Sequence, residues 1–349
     1  MIKVLVVDDS ALIRALLSKI IADDPMLTLV GAAPDAYVAR EMVIRLQPDV
    51  ITLDIEMPKV DGLIFLERLM QARPTPVIMI STLTRAGADA TLRALELGAV
   101  DFIPKPKIDV SRGIEAYQEL ITAKIKMAAT ARLVKPKVRV AGPVPLVSRN
   151  LMSSEKILAI GASTGGTQAI KSLLMQFPAA MPAIVITQHM PPDFTKAFAN
   201  RLDSLCQVRV KEAEQDERLL AGCAYIAPGD QHMEVIRSGA DYRVRLHQEE
   251  RVSGHRPSVD VLFQSLARSA GLNTVALILT GMGHDGAEGM LSLSQQGCYT
   301  VAQDEASCVV FGMPKAAIKL NAINEVLSLD QMAEAVLKKL SAIGATTRL

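Results

Sequence analysis

Residues 3–23 read KVLVVDDSALIRALLSKIIAD, a short apolar run that meets two acids and continues as an amphipathic stretch. The run predicts a buried β-strand at Lys3–Val7, and the apolar spacing after it predicts a helix at Ala11–Asp23. The same strand-then-helix pattern occurs five times before residue 127, with short connections. Such alternation predicts a parallel sheet with helices on both faces.

Length and composition indicate more than one such domain. The chain has 349 residues, whereas a typical domain has roughly 100 to 200. Half of the residues are hydrophobic and 21% are charged, which excludes wholesale disorder. Aromatic residues make up only 3% and the net charge is +1, so neither base stacking nor a general attraction to nucleic acid is indicated.

Two further features of the sequence bear on its location in the cell. No apolar stretch approaches the roughly 20 residues that span a bilayer. The four cysteines form no CxxC pair and have no histidine at ligand spacing, so neither a zinc site nor a disulfide framework is predicted. We therefore expect a cytoplasmic protein without membrane insertion.

A basic segment separates two predicted domains. From Lys124 to Arg149 the sequence has seven basic residues, three prolines and no acid. Because like charges and prolines resist packing into a core, this segment is predicted to be a linker. The predicted organisation is an α/β domain at 1–123, a linker at 124–150 and a second α/β domain at 151–345.

The second domain repeats the alternation of strands and helices from Lys156 to Ala302. Within it, four short β runs are predicted to form antiparallel hairpins, and they are Val208–Glu212, Ala224–Ala227, Met233–Ile236 and Tyr242–His247. The residues SGAD at 238–241 would turn the last pair. The expected fold is a mainly parallel, doubly wound sheet with a β-hairpin insertion.

Polar side chains of the first domain follow its strands at the edge where parallel sheets bind ligands. Asp8 and Asp9 follow the first strand, Asp54 ends the third, Ser81 follows the fourth and Lys105 follows the fifth. Converging carboxylates repel one another unless a hard cation such as Mg²⁺ lies among them. Such a cation would neutralise a phosphoryl group on one carboxylate, whose oxygens Lys105 and Ser81 could hold. Asp8 or Asp9 alone would be an ordinary helix cap.

These residues lie in motifs that resemble the response-regulator receiver domain, over residues 1 to about 120. The motifs are VDDS at 7–10, LDIEMPKVDG at 53–62, IST at 80–82 and IPKP at 103–106. The resemblance implies a flavodoxin-like fold in which a sensor histidine kinase phosphorylates Asp54. It also implies Mg²⁺ bound by Asp9, Asp54 and the main-chain carbonyl of Glu56, with Asp8 acting through water.

A glycine-rich turn, GASTGGT, follows the first strand of the second domain. Its residues Gly161, Ser163 and Gly165 form a G-x-S-x-G pattern, which exposes a serine before a helix but more often cradles a phosphate. The next strand leads directly into His189, and a later strand leads into Asp285. Three parallel strand ends would then bring together a nucleophile, a base and a carboxylate that orients the base.

Each partner of the serine has a structural alternative. His189 could be a helix cap or a core histidine, and Asp285 could be only the N-cap of the helix that begins at Gly286. Four other histidines are rival bases: His232, His247, His255 and His284. The first two fall in the hairpin region, where exposed polar positions are common. His255 is the strongest rival, because it precedes a helix in a glycine-containing loop.

The second domain resembles the protein-glutamate methylesterases of bacterial chemotaxis. The matching segments are GASTGGT, QHMPPDFT, HRPSVDVLF, TGMGHDGAEGM and ASCVVFGMP. By this resemblance Ser163 is the nucleophile, His189 the general base and Asp285 its orienting partner. Thr164 and the main-chain amide of Met282 would support the oxyanion and the active site.

The resemblance implies hydrolysis of γ-glutamyl methyl esters on the cytoplasmic helices of chemoreceptors through an acyl-enzyme on Ser163. It also implies deamidation of receptor glutamines, since an amide and an ester share a tetrahedral intermediate. The esterase chemistry is expected to need no cofactor. Phosphorylation of Asp54 would reorient Ser81 and the Lys105 side of the first domain, loosen its contact with the second domain and expose Ser163.

Two other functional classes compete with this interpretation. A response regulator whose second domain binds DNA is disfavoured, because residues 151–349 contain no basic recognition helix. A nucleotide-binding domain is disfavoured, because no Walker lysine follows the GASTGG turn. The sequence therefore predicts a phosphorylation-controlled serine hydrolase without a nucleic-acid partner.

Overall fold

The chain divides into two compact units, Met1–Pro136 and Lys137–Leu349. The residues that the computed structural model describes are 1–57, 60–82, 84–105, 114–133 and 156–346. Within these residues, no helix is both long enough and apolar enough to cross a membrane.

The first unit contains a parallel five-stranded sheet flanked by helices. Its strands are β1 (Ile2–Val7), β2 (Leu27–Ala33), β3 (Val50–Asp54), β4 (Val77–Ser81) and β5 (Asp101–Pro104). Its helices are α1 (Ala11–Ala22), α2 (Ala36–Leu46), α3 (Gly62–Ala72), α4 (Arg85–Glu96) and α5 (Ile114–Thr130). The order β2-β1-β3-β4-β5 is that of a flavodoxin-like sheet, so the predicted fold is confirmed.

Local sequence explains where these elements begin and which of them are central. Every residue of β3 and β4 is buried, as expected for strands covered by helices on both faces. Ser10, Asp35, Asp61 and Thr84 precede α1 to α4, and each side chain accepts a hydrogen bond from an N–H of the first helical turn. The first four helices are therefore capped at the carboxyl edge of the sheet.

Helix α5 continues into the segment that the sequence assigns to the linker. The predicted linker begins at residue 124, but α5 extends to Thr130. The ammonium groups of Lys124 and Lys126 lie 2.7 and 2.6 Å from carboxylate oxygens of Asp101 and Asp24. These cations pair with acids of the first unit, so the linker prediction is wrong for its first residues. Its remainder, from residue 134 to 150, lies outside the described residues.

The second unit contains a seven-stranded sheet in which every pairing of neighbouring strands is parallel. Its strands are β6 (Ile157–Ala162), β7 (Ala183–Gln188), β8 (Arg209–Glu212), β9 (Cys223–Ile226), β12 (Thr274–Ile278), β13 (Tyr299–Gln303) and β14 (Glu325–Leu327). Its helices are α6 (Gly166–Leu174), α7 (Phe194–Asp203), α8 (Val259–Ser269), α9 (Ala287–Gln295), α10 (Met313–Lys319) and α11 (Leu329–Thr346). The strand order is β14-β13-β12-β6-β7-β9-β8. The predicted alternation of strands and helices ends at Ala302, so β14, α10 and α11 were not predicted.

One antiparallel hairpin is inserted between β9 and α8. Its strands β10 (His232–Ser238) and β11 (Asp241–His247) pair along their whole length, with Ser238 opposite Asp241 at the turn. The predicted SGAD turn and hairpin insertion are therefore confirmed.

The other two predicted hairpin strands belong to the main sheet. β8 and β9 pair in parallel, with Val210 opposite Ala224, and β9 also pairs in parallel with β7. All four residues of β9 are buried, so this strand lacks the polar face of an exposed hairpin strand. The predicted antiparallel pairing of these two runs is wrong, because a short buried parallel strand has no alternating pattern to distinguish it.

Both sheets have a point at which successive strands are added on opposite sides. In the first sheet β1 lies between β2 and β3, and in the second β6 lies between β7 and β12. Loops that leave the carboxyl ends of strands on either side of such a point diverge and leave a crevice. Asp8 and Asp54 lie at this point in the first unit, and Ser163 and Asp285 lie at it in the second.

Candidate active site and acidic cluster

Ser163 occupies a rigid turn between β6 and α6. Its carbonyl oxygen accepts hydrogen bonds from the Gln188 side-chain amide at 2.9 Å and from the Gly166 N–H at 2.8 Å. Gly165 has a φ of 77°, and a Cβ there would lie 2.7 Å from the side chain of Val309. Glycine is therefore required both by the left-handed backbone and by the close packing. The turn places the serine hydroxyl at the edge of the sheet.

His189 is the first residue beyond β7 and contacts both other members of the predicted triad. Its Nδ1 lies 3.1 Å from Ser163 Oγ, and its Nε2 lies 2.7 Å from Asp285 Oδ2. Its side chain is 8% exposed, so water has little access to the ring. When Ser163 donates to Nδ1, the proton on Nε2 is donated to Asp285. The two ring nitrogens therefore have exchanged places relative to triads in which Nε2 faces the serine and Nδ1 faces the aspartate.

The Asp285 carboxylate is buried and receives three hydrogen bonds besides that of His189. Ser258 Oγ donates at 2.7 Å, the Val259 N–H at 2.7 Å and the Asp260 N–H at 3.1 Å. Burial alone would raise the pKa of Asp285, but the His189 contact and these donors hold its pKa well below the ordinary value. Asp285 therefore stays ionised beside the imidazole.

The alternative role of Asp285 as a cap of its own helix is not what the structure shows. The N-cap of α9 is Gly286, which has no side chain to make a capping hydrogen bond. Asp285 instead accepts from the N-terminus of α8. In return Asp260 Oδ1, on α8, accepts the N–H of Gly289 in α9 at 2.7 Å. The two helices thus stabilise each other's free N–H groups, and the N-terminal dipole of α8 favours the charge on Asp285.

The four rival histidines occupy different environments. His284 is exposed on the surface. His232 is fully buried, contrary to the expectation of an exposed hairpin position: its Nδ1 accepts the Ser258 N–H at 3.2 Å and its Nε2 donates to the Glu250 carbonyl at 2.9 Å. His247 packs near it, with ring centroids 5.3 Å apart. His255 stacks on His189, with ring centroids 3.7 Å apart.

The two predicted oxyanion contributors lie next to the serine turn. Thr164 is buried, and its carbonyl accepts a hydrogen bond from Thr280 Oγ1 at 2.9 Å. Met282 follows Gly281, where an added Cβ would lie 2.8 Å from Ser163 Cβ. The loop after β12 therefore packs directly against Ser163, and Met282 itself is 41% exposed. An oxyanion role for either residue stays a prediction.

In the first unit, carboxylate oxygens of Asp8, Asp9 and Asp54 lie within 4.8 Å of one another. Lys105 Nζ lies 2.7 Å from Asp54 Oδ2 and 3.3 Å from Asp8 Oδ2. The Asp8 oxygen is buried and receives no hydrogen bond from the described residues. One ammonium therefore faces two buried carboxylates, and the exposed carboxylate of Asp9 lies beside them. Burial, only partly offset by Lys105, raises the pKa of Asp54 to about 6.

This acidic cluster has the donor set that Mg²⁺ prefers. Three carboxylates close together supply oxygen ligands, and the buried Asp8 oxygen leaves a place for a cation or its water. Glu56 follows β3 with an exposed side chain, and its backbone N–H donates to Asp54. The residues present therefore fit a divalent cation.

Ser81 lies at the same edge but its hydroxyl is engaged by α4. Its Oγ accepts a hydrogen bond from Thr91 Oγ1 at 2.6 Å and lies 3.3 Å from the carbonyl of Gly87. Ser81 is 1% exposed. It is therefore linked to the helix that follows β4.

Two known families match this chain. The family described as CheB methylesterase matches residues 158–336, and the response regulator receiver domain matches residues 4–118. The chain belongs to the CheB methylesterase family. Both resemblances predicted from the sequence are thereby confirmed, including the receiver that precedes the methylesterase domain.

Relatives of the family match this chain over its whole length. The protein-glutamate methylesterase/protein-glutamine glutaminase 2 of Pseudomonas aeruginosa is 57% identical over 348 residues, which cover 100% of this chain and 99% of that protein. The protein-glutamate methylesterase/protein-glutamine glutaminase of Salmonella typhimurium is 54% identical over 341 residues, 98% of this chain and 97% of that protein. The crystal structure of the Thermotoga maritima CheB methylesterase catalytic domain aligns with a TM-score of 0.52 and 38% identity, covering 54% of this chain and 100% of that chain.

Several residues of this CheB-family site were not predicted from the sequence. Ser258 precedes an apolar helical pattern and could have been identified as a helix N-cap, but its bond to Asp285 joins residues far apart in the chain. Gln188 and Thr280 donate side-chain hydrogen bonds to carbonyls of the serine turn. Apart from their positions at or just after strand ends, nothing in the neighbouring sequence indicates this role. Predicting contacts between residues at different strand ends requires the order of the strands in the sheet, which cannot be read directly from the sequence.

We predict that Asp54→Asn stabilises the receiver unit at neutral pH in EDTA. Because the folded protein raises the pKa of Asp54 from 3.8 to about 6, it loses stability as the pH rises through this interval and the carboxyl ionises. The difference of two pKa units corresponds to about 3 kcal/mol, which an uncharged asparagine avoids. Urea unfolding of the full chain, followed by circular dichroism, should show the gain at pH 7.5 and none below pH 4.

The matched control is Asp23→Asn, at an exposed position after α1. It should change the receiver transition little at either pH. The prediction would be wrong if Asp54→Asn were less stable than the parent at pH 7.5, or if its gain in stability were the same below pH 4. Either result would show that ionised Asp54 does not destabilise the receiver.

Proposed function

We propose that the chain hydrolyses γ-methyl esters of glutamate side chains on the cytoplasmic helices of bacterial chemoreceptors, in the cytoplasm, and that its receiver controls this activity. The observation that carries the proposal is the continuous line of contacts from Ser163 Oγ through His189 to Asp285. The membership of the chain in the CheB methylesterase family supports the choice of substrate class.

The three side chains can carry out acyl transfer in two balanced steps. Ser163 Oγ attacks the ester carbonyl carbon while its proton passes to His189 Nδ1. The tetrahedral intermediate collapses, the bond to the methoxy oxygen breaks, and Nδ1 returns the proton so that methanol leaves. Water then attacks the acyl-enzyme while its proton passes to Nδ1. The bond from Ser163 Oγ to the acyl carbon breaks, Nδ1 returns the proton to Oγ, and the glutamate carboxyl group and free Ser163 are formed.

Asp285 supports both steps by staying charged. The imidazolium that forms on His189 carries its second proton on Nε2, 2.7 Å from Asp285 Oδ2. A carboxylate held in the ionised form by α8 stabilises that cation and fixes the tautomer in which Nδ1 is free to act as base. Asp285 does not itself need to accept the proton.

The oxyanion of the tetrahedral intermediate forms beside the serine turn. We assign its stabilisation to Thr164 and the main-chain amide of Met282, since Thr164 follows Ser163 in the same turn and the loop of Met282 packs against Ser163. One such donor contributes roughly 3 to 4 kcal/mol to transition-state stabilisation. The same site can deamidate a receptor glutamine, with ammonia leaving in place of methanol.

In the receiver, Asp54 is the proposed phosphoryl acceptor and a chemotaxis histidine kinase the proposed donor. Asp8, Asp9, Asp54 and the main-chain carbonyl of Glu56 would hold Mg²⁺, which supplies charge neutralisation for the phosphoryl oxygens when bound. Lys105 pairs with Asp54 in this structure and would pair with the phosphoryl group. Ser81 would then leave Thr91 and turn toward the same oxygens, which changes the position of α4.

We predict that Ser163→Ala abolishes methanol release from membranes that contain methylated chemoreceptors. The loss should be about 10⁴-fold or more, since the nucleophile itself is removed. Methanol release by the full chain is the measurement, and Ser204→Ala, at an exposed serine after α7, is the control that should match the parent. Equal release by the parent and Ser163→Ala would defeat the esterase assignment.

We also predict that Asp54→Ala removes activation by a small phosphodonor. Acetyl phosphate with Mg²⁺ should raise methanol release by the parent severalfold, because phosphorylation drives the receiver to its active state. The control Asp23→Ala should respond as the parent does. If Asp54→Ala were activated to the same extent, control through phosphorylation at this residue would be wrong.

A further inference from the structure

The face of the general base is covered by a second imidazole. The rings of His189 and His255 are nearly parallel, with an interplanar angle of 12° and centroids 3.7 Å apart. The other close histidine pair, His232 and His247, is tilted by 36° at 5.3 Å. The first pair is therefore stacked face to face, and neither proposed step of ester hydrolysis uses this contact.

The position of His255 is determined by the backbone around it. The main chains of Val252 and His255 exchange two hydrogen bonds, at 2.9 and 3.1 Å, which close a tight loop. The next residue, Arg256, donates to Asp230 Oδ1 from two nitrogens, at 2.8 and 3.1 Å. It also donates to the carbonyls of two residues that precede the loop. The ring is thus attached to a loop held at both ends.

The same short segment also holds the acid of the triad. Ser258, three residues after His255, donates its hydroxyl to Asp285, and the next two N–H groups donate to the same carboxylate. One continuous run from His255 to Asp260 therefore contacts the base through a ring face and the acid through its donors. A segment built in this way fixes the two groups relative to each other.

The imidazole of His189 needs such a support because the χ2 torsion of the side chain does not by itself fix the plane of the ring. The χ2 torsion of histidine is broad, so an imidazole can tilt with little intrinsic cost. The bonds from Nδ1 to Ser163 and from Nε2 to Asp285 lie in the ring plane, and a tilt misaligns both. A ring packed 3.7 Å from one face opposes that tilt and excludes water.

We propose that His255 is a positioning residue of the esterase, whose aromatic face keeps the His189 imidazole in the plane that joins Ser163 to Asp285. This inference rests on the proposed function of that site. It also explains why the strongest rival base is not the base: His189, and not His255, has its ring nitrogens on Ser163 and Asp285. The face of the ring, rather than its nitrogens, is what the reaction requires of His255.

Two substitutions in the full chain separate the ring face from the imidazole nitrogens. His255→Phe keeps a flat ring of similar size, whereas His255→Ala removes it. We expect His255→Ala to lower kcat for methanol release by about 10- to 100-fold, with KM within twofold of the parent, because a misplaced base slows chemistry more than binding. His255→Phe should keep kcat within about threefold. His247→Ala, in the tilted pair, is the control and should match the parent.

Three outcomes would overturn the proposal. His255→Ala with at least half the parent kcat would show that the stack is dispensable. His255→Phe as inactive as His255→Ala would show that the imidazole nitrogens are needed. A loss confined to KM would place His255 in substrate binding. Thermal unfolding of each variant shows whether any loss of activity comes from loss of the fold.

A second readout distinguishes this proposal from the proposed function. A fluorophosphonate probe phosphonylates an activated serine, and fluoride leaves as the bond from Oγ to phosphorus forms. Because no receptor substrate is needed, the rate of labelling at Ser163 reports on activation of the serine without receptor binding. The rate should fall in His255→Ala and be kept in His255→Phe. If the parent labels but releases no methanol from receptors, the substrate assignment fails while the labelling rates still decide the role of His255.

Discussion

The buried carboxylate of Asp285 is the constraint on which the catalytic unit depends. An ionised group without donors in a protein interior costs several kcal/mol, so its surroundings must supply them. Here the donors come from the N-terminus of α8, the hydroxyl of Ser258 and the ring of His189. Satisfying one anion therefore fixes α8 against the loop after β12, and both against the strand that presents the base. The serine turn needs only to place its hydroxyl at the remaining ring nitrogen.

The receiver contrasts with this arrangement, although its acids lie at the equivalent point of its sheet. Hydrogen-bond donors surround Asp285, and its pKa stays low. Burial instead raises the pKa of Asp54 to about 6, although Lys105 faces both Asp54 and Asp8 and the Glu56 N–H donates to Asp54. A matched carboxylate can hold a base still through a catalytic cycle. An undercompensated cluster favours a cation and a change of charge, which is what a phosphoryl switch requires. In the proposed function, the two sites would use the aspartate carboxylate for opposite purposes.

Much of this architecture could be predicted from the sequence, because parallel sheets bring the residues that follow their strands to one edge. That rule placed Ser163 near His189 and Asp285, and Asp54 near Lys105, although it left His255 open as a rival base. The rule failed for β9. Its short, fully buried sequence does not indicate whether the strand pairs with its neighbours in parallel or antiparallel. The rule also could not predict that Asp285 accepts hydrogen bonds from the N-terminus of α8, or that the ring of His255 covers that of His189. Both contacts join segments that are distant in the sequence, and the path of the loop between them depends on the complete fold.

The kinetics of Asp285→Asn test most directly whether this carboxylate organises the site. Asparagine preserves the shape and can still accept from α8, but it carries no charge to stabilise the imidazolium or to fix the tautomer of His189. In a well-studied serine protease the equivalent change lowers kcat about 10⁴-fold. For the folded variant, a loss of about 10³- to 10⁴-fold in kcat for methanol release, with KM little changed, is the predicted result. A loss of less than tenfold would contradict the account.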